Sequence, residues 1–546
     1  MFLRPLRSLN RGGRTGCDKD AKKSLHATSS SGSQKQWTRY GLPSVSDLIF
    51  IILLLSLSVG SLVPRLLGDA GTGWHIRNGE LILSTHTITR MDPFSSTMQG
   101  KPWYAWEWLY DAAIAMVHGW YGLNGVVFAS AFVIAISFSL MFILVRARGG
   151  SLAATTLLSL LAIAASSIHL LARPHIFSWL LTVVWFHLLD SSETTPSYGR
   201  KLLWLPVIML LWVNVHGGFV IGFILLGIYG VINLASYRSS KNPAERGLAG
   251  KRLRRIILVG IASALASLIN PYGFQLHVHI YRYLSNRFLM NQINEFQAPN
   301  FHGIAQQCFV LLVLIAVVAF AWKERRPRPV ELLVALFAIA AGFYASRNLP
   351  TSSILLTLIV APFLSGRSEE RSDAEPQPER KAGRIQAFAS RMQSLDQQLR
   401  GHVWPLILML LGTWVCITGG RLGSHQLMSA SFSEKQFPVG AVEAIQRRNI
   451  PGPIFLPDSW GGYVIYRLYP SVKVVDDDRH DLYGEQFFKN YLTITRVEPD
   501  WEQLLNQVNA NWVLMPKNSP LAGALSEKTG WAVEYHDATA TLFHKQ

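Results

Sequence analysis

Charge is scarce in this chain. Of 546 residues only 16% are Asp, Glu, Lys or Arg, while 49% are apolar and the mean hydropathy is positive. That balance excludes an ordinary soluble enzyme, in which about a quarter of the residues are charged. Acid is the scarcer sign: 34 Asp and Glu stand against 51 Lys and Arg, a formal net charge of +17. Such an excess can mark a nucleic-acid binder. Here it lies in short segments between apolar blocks, where membrane topology places it, so no nucleic-acid partner is expected. Cysteine is nearly absent as well, with only Cys17, Cys308 and Cys416. One lies in a basic segment and two inside apolar runs. No disulfide framework and no CxxC metal motif can be built from them.

What is present is a series of apolar blocks. A block near 20 residues spans the roughly 30 Å hydrocarbon core as a helix, because a helix satisfies its own backbone polar groups. The first, "LIFIILLLSLSVGSLV", starts near Leu48 and reads as a span, not as a cleavable signal peptide. Further spans are expected near 122–145, 152–170, 174–190, 203–215, 218–236, 256–270, 304–322, 330–346, 350–365 and 403–418, about eleven in all. Residues 203–236 can also be read as one broken helix, and 274–300 leaves room for an extra amphipathic one.

Residues 1–43 are basic and Ser/Gly-rich, and read as a disordered cytoplasmic arm that can touch anionic lipid. The segment 44–365 is the transmembrane module, with a long first outer loop over 66–121. Residues 366–402, rich in Arg, Glu and Pro, form a cytoplasmic linker, and 403–419 the last span. Most Lys and Arg then fall on the inner side, in "RAR", "GRK", "KRLRR" and "KERRPRPV". Beyond 420 short strand-like pieces alternate with amphipathic helical ones ("GPIFLP", "NWVLMP", "ATLFH"), which argues for a small soluble α/β domain. With this span count that domain is extracytoplasmic.

The polar residues collect at the outer ends of the helices. The first outer loop carries Asp69, Trp74, His75, Arg77, Glu80, Asp92, Glu107 and Asp111. The next outer turns carry Arg173 and His175 in "ARPH", Asn214 and His216 in "NVHGG", Glu295 in "NEFQ", and Arg347 and Asn348 in "SRN". Exposed turns are polar by default. Ionisable groups at membrane depth, however, usually line a bundle interior or wet cavity. In "EWLYDAAIAMVHGW" the residues Leu109, Ala112, Ala113, Met116, Val117 and Trp120 make one apolar stripe, as in a helix lying on the membrane, with Glu107, Asp111 and His118 opposite. Trp103, Tyr104, Trp106 and Trp108 suit an interfacial belt or a sugar-stacking platform. The run Asp476 to Asp481 reads first as a solvated surface loop, with ligand binding at a strand end as the second reading.

Together "DAGTGWHIRNGELI", "DPFSST", "PWYAWEWLYD", "LARPHIFS", "WVNVHGGFV", "INPYG" and "SRNLP", with "WGGYVIYRLYP", "DDDRHDLYGE" and "WVLMPKNSPLA", resemble a bacterial GT-C-like membrane family. The layout resembles the GT-C superfamily of polytopic glycosyltransferases that use polyprenyl-phosphate sugars. The resemblance implies a polytopic α-helical GT-C-like fold and transfer of a sugar from a lipid-anchored donor to an envelope glycan, lipid or protein acceptor at the outer face of the inner membrane. It further implies that Asp69, the acid just after the first span, acts as base on the acceptor. Ala70 and Gly71 stand where a second acid is common in such enzymes, which leaves that role to Asp92 or Glu107. A divalent cation, Mg or Mn, stays open as a cofactor, and no metal ligands are assigned.

The displacement needs a carboxylate within reach of the acceptor hydroxyl and cations to stabilise the leaving phosphate. Arg347 and Arg173 suit the second task, since Arg can clamp phosphate oxygens bidentately. His175, His216 and Asn348 are candidates for holding phosphate or acceptor, and His75 and Arg77 for ordering the loop or touching the acceptor. Pro174 at a first helical turn would leave a helix N-terminus facing the anion. A flippase or transporter of a lipid-linked sugar, or a non-enzymatic scaffold for envelope assembly, would keep the same cluster without the chemistry. No inverted repeat is visible in support of a transporter.

Overall fold

The computed structural model describes residues 41–322, 326–365, 384–399 and 401–546. The expected basic arm over 1–43 falls almost wholly outside them, as does much of the expected linker over 366–402. The described chain opens with α1 (Val45–Ser58), where Ser44 and Asp47 form a reciprocal capping box that satisfies otherwise free N–H groups. α2 (Gly71–Thr85) forms within 66–121 and stops at His86 in a left-handed conformation. α3 (Trp108–Ala147) breaks at Gly122, whose φ of 59° suits a residue without Cβ. Then follow α4 (Leu152–Ser166), α5 (His175–Thr194), α6 (Trp204–Val215), α7 (Val220–Ser239), α8 (Pro243–Ser267), α9 (Phe274–Ser285), α10 (Ile304–Trp322), α11 (Pro329–Tyr344), α12 (Leu349–Val360), α13 (Arg384–Gln398) and α14 (Val403–Ile417).

A helix therefore lies on each apolar run that the sequence marks, and the chain is a multi-pass membrane protein. Among the described residues five stretches are long and apolar enough to cross a membrane: Trp108–Ala147, Leu152–His169, Gly217–Ser239, Ile304–Ala321 and Ser346–Leu364. A sixth is added if the bent pair Ala387–Gln398 and Val403–Ile417 is one span, and Val45–Ser58 and Pro329–Tyr344 are apolar but shorter. Eleven crossings would need α5, α6 and α8 to span as well, beyond these eight. Residues 203–236 are two helices, parted where His216 turns extended. The 274–300 segment holds the amphipathic α9. Outward-facing Ile52, Trp204, Leu265 and Leu410 are 60–65% exposed, which suits lipid tails as apolar as themselves.

The first half of α3 turns its polar side inward. Asp111, Ile114 and Ala115 are buried, while Ala113, Met116 and Trp120 face out. The tryptophans do not make a simple surface belt. Trp103 is 4% exposed and lies 4.5 Å under the Arg479 guanidinium. Trp108 donates to Asn214 Oδ1 at 2.8 Å, and Tyr104 stacks on His279.

The C-terminal region holds a four-stranded sheet of β1 (Ile454–Phe455), β2 (Trp512–Pro516), β3 (Trp531–His536) and β4 (Ala540–Lys545), in the order β1-β2-β4-β3. β1 and β2 are parallel and the other pairs antiparallel. α15 (Val439–Arg447), α16 (Asp458–Leu468), α17 (His480–Arg496), α18 (Trp501–Gln507) and α19 (Pro520–Glu527) accompany it. This region is not packed as a separate body. Val474 bridges both Ile454 and Ser95 of the segment between α2 and α3, and one apolar core runs from Leu57 through Trp179 to Ile454 and Leu542. α2 and α16 cross with their backbones touching. A Cβ on Gly73 would run into the Gly462 carbonyl, and one on Gly462 into that of Ala70.

Candidate functional site

α2 begins beside Asp69, whose Oδ1 accepts the Gly71 N–H at 2.7 Å. The same carboxylate receives Arg173 Nη1, 3.0 Å from each oxygen. Arg173 is carried by the turn between α4 and α5, which is fixed from three sides. The Ala172 N–H donates to the Leu66 carbonyl at 2.8 Å. The Ala172 carbonyl accepts from Tyr110 at 2.7 Å and from Thr72 at 3.1 Å. A third group joins from the C-terminal region: Asp478 Oδ2 lies 3.2 Å from Arg173 Nη1, and its Oδ1 accepts from the Trp74 indole at 2.7 Å. Gly71 is required at this junction. A Cβ there would stand 2.7 Å from Asp478 Oδ2 and 2.9 Å from Asp69 Oδ1.

The second half of the site centres on Glu107, the residue before α3. Its two oxygens lie 3.7 Å from His75 Nε2 and 3.7 Å from His216 Nε2, too far for direct hydrogen bonds. Both imidazoles are held from behind. His75 Nδ1 shares a proton with Asp111 Oδ1 at 2.6 Å, and Asn78 donates to the other Asp111 oxygen at 2.6 Å. His216 Nδ1 accepts from the Gly218 N–H at 3.0 Å and pairs with the Ser178 hydroxyl at 2.8 Å. His75 Nε2 is buried and has no hydrogen-bond partner among the described residues. Burial pushes the Glu107 carboxyl up to about 7, against the pull of Arg173 and Arg347. Burial likewise raises Asp478 to about 7, against the pull of Arg173 and with help from Asp69 and Asp477.

Of the residues singled out from the sequence, Asp69, His75, Glu107, Arg173 and His216 come together here. His175 lies beside them, its ring 6.5 Å from that of His216, and its Nε2 donates to the His169 carbonyl at 2.8 Å. Arg347 pairs with Glu295 at 3.2 Å and sits 4.3 Å over Phe296.

Three candidates lie elsewhere. Arg77 donates to the Tyr466 carbonyl at 2.8 Å and pairs with Glu80, tying α2 to α16. Asn348 donates to the Ala341 carbonyl at the end of α11. Asp92 is buried against Arg479 at 2.8 Å and accepts from the Ser95 N–H at 2.9 Å. Burial works to raise this carboxyl, but Arg479 and Ser95 bring it below its ordinary range.

The Asp476 to Asp481 run is not a solvated loop. Asp476, Asp477, Arg479 and His480 are all buried. The Arg479 guanidinium is held by Asp92 and Asp477 among Trp74, Phe94 and Trp103. That pairing of loop and C-terminal region places Asp478 in the site.

The chain is thus a multi-pass helical protein in which the segment between α1 and α3 and the C-terminal region meet at the helix ends that carry these residues. Comparison with solved structures agrees. The chain is similar to the Archaeoglobus fulgidus oligosaccharyltransferase in its apo form, with a TM-score of 0.52 at 9% identity over 86% of this chain and 69% of that one. It is also similar to the archaeal oligosaccharyltransferase AglB from the same organism in complex with an inhibitory peptide and a dolichol-phosphate, with a TM-score of 0.53 at 11% identity over 86% and 68%. For the complex of that enzyme with Zn and sulfate the TM-score is 0.51 at 13% identity over 86% and 67%. No family model matches the sequence and no curated protein matches it. At these identities the likeness is one of fold.

Proposed function

We propose that this chain is a membrane glycosyltransferase that moves a sugar from a polyprenyl-phosphate donor to an envelope glycan, lipid or protein acceptor at the outer face of the inner membrane. The observation that carries this reading is the convergence of Glu107, two imidazoles and the Asp69–Arg173–Asp478 cluster on one side of a GT-C-like fold. One solved structure with that fold holds a dolichol-phosphate. The Lys/Arg distribution supports a cytoplasmic N-terminus and linker, with residues 420–546 outside.

Asp69 is committed to Arg173 and to the start of α2. Among the described residues Glu107 has no ion-pair partner closer than the two imidazoles at 3.7 Å, and a proton acceptor works best with a pKa near the working pH. Glu107 is therefore assigned the acceptor's proton. An acceptor hydroxyl placed off the line between Glu107 and His75 would touch both. All the Arg173 contacts to Asp69 and Asp478 run through Nη1, which leaves Nη2 and Nε, with Arg347, to meet the leaving phosphate.

The purified protein in liposomes with a radiolabelled polyprenyl-phosphate sugar tests the reading. Label should move to a water-soluble or lipid acceptor, and Glu107→Gln should abolish the movement without loss of folding. Counterflow of labelled lipid with no transfer would make the chain a flippase, and neither activity would leave a scaffold.

A further inference from the structure

One solved relative in fold is a complex with Zn and sulfate, which raises a divalent ion as a cofactor for this site. The donor set does not fit one. Asp69 and Asp478 converge from the outer segment and the C-terminal region, but Arg173 fills the space between them, 3.0 Å from both oxygens of Asp69 and 3.2 Å from Asp478 Oδ2. The backbone closes another side, since a Cβ on Gly71 would stand 3.0 Å from Arg173 Cζ. The Gly218 N–H can only donate, so His216 Nδ1 is the bare nitrogen. A neutral imidazole then keeps its proton on Nε2 and offers no lone pair toward Glu107. His175 Nε2 is engaged with the His169 carbonyl. His75 Nε2 and Glu107 remain, where a catalytic zinc takes three protein ligands. Among the described residues no group of three or more His, Cys, Asp or Glu is placed to hold an ion.

We infer that the Arg173 guanidinium is the resident cation of this site: it neutralises the two converging carboxylates in place of a divalent ion, and the site takes up none. A guanidinium cannot be deprotonated in a protein, and, being covalent, it cannot be removed by a chelator. The inference rests on the geometry of Asp69, Arg173 and Asp478 and stands whether or not the chain transfers sugar.

The test uses the full chain in detergent, with metal content measured after dialysis, calorimetric titration with Zn²⁺ and Mn²⁺, and thermal midpoints with and without EDTA. The parent should hold no stoichiometric metal, show no saturable binding, and melt at the same temperature with and without EDTA. Arg173→Lys, which keeps a cation, should behave like the parent. Arg173→Ala leaves Asp69 facing Asp478 without a counter-charge and should gain saturable Mn²⁺ binding, which adding Asp69→Asn removes. Stoichiometric Zn or Mn in the parent, lost on Asp69→Asn, would overturn the inference. So would an Arg173→Ala protein that folds and takes up no ion. If Arg173→Ala does not fold, the parent and Arg173→Lys still decide.

Discussion

Glu107→Gln separates a catalytic carboxylate from a structural one, because the structure fixes the sign of two independent pH effects. The Glu107 carboxyl stands at about 7 in the folded protein, against about 4.3 for a free Glu. As a proton acceptor it must be ionised, so parent transfer should rise about tenfold per pH unit below 7 and level off above it. Gln keeps the size and cannot take a proton. Transfer should fall by about 10²–10⁴ and the acidic limb should disappear. Stability should move the other way. A carboxyl whose folded pKa lies above its unfolded value costs nothing below about pH 4, and its cost grows as pH climbs through 7. The gap between about 4.3 free and about 7 folded corresponds to a cost on the order of 3 kcal/mol above pH 7. Glu107→Gln removes that cost and should raise the thermal midpoint at pH 8 while leaving it unchanged at pH 4. The assay pairs transfer of radiolabel from a polyprenyl-phosphate donor with melting curves over pH 4–9. A variant that keeps the parental acidic limb would refute Glu107 as the acceptor of the proton.

Other consequences can be tested separately. Arg479→Met leaves Asp92 and Asp477 buried without their cation and should cost about 3–5 kcal/mol in thermal or denaturant unfolding; a loss under 1 kcal/mol would mean that the three-way pairing does not hold the loop. Arg347→Lys should lower transfer at least tenfold despite keeping the charge, because an ammonium lacks the planar fork; parental turnover would reduce Arg347 to a partner of Glu295. Reporter fusions after residue 395 and after residue 430 should report opposite sides of the membrane, and same-side signals would remove one span and move the C-terminal region inside.

The positions of the helices were legible because lipid imposes a long apolar run. Asp69, His75, Glu107, Arg173 and His216 were legible as polar residues at or near helix ends. Asp111 was misplaced for a physical reason. An amphipathic helix in water buries its apolar stripe, whereas the first half of α3 exposes Met116 and Trp120 and buries Asp111 against His75 and Asn78. Asp478 was hidden by the same kind of default. A run of charges is normally solvated, and nothing local shows that Arg479 will pair with Asp92 from the distant outer loop. Arg77 and Asp92 looked like site members because they share the loop, but their partners, Tyr466 and Arg479, lie in the C-terminal region.

Those misreadings point to one architectural reason for the site. α2 presents His75 and Asn78 to Asp111 on one side and packs Gly73 against Gly462 of α16 on the other. Arg479 then fixes the loop between α2 and α3 by pairing with Asp92, and Asp478, its chain neighbour, reaches Arg173. Asp69, His75, Arg173 and His216 are each braced by a segment from elsewhere in the sequence. Without the α4–α5 turn Asp69 would lose its Arg173 partner, and without the segment around α2 and the C-terminal region Arg173 would lose Asp69 and Asp478. Asp69 and Arg173 are part-buried, and their charges are matched in full only when Asp478 joins them from the C-terminal region. Packing of the C-terminal region is therefore a condition for forming the site, which explains why one continuous apolar core crosses the change of composition near residue 420.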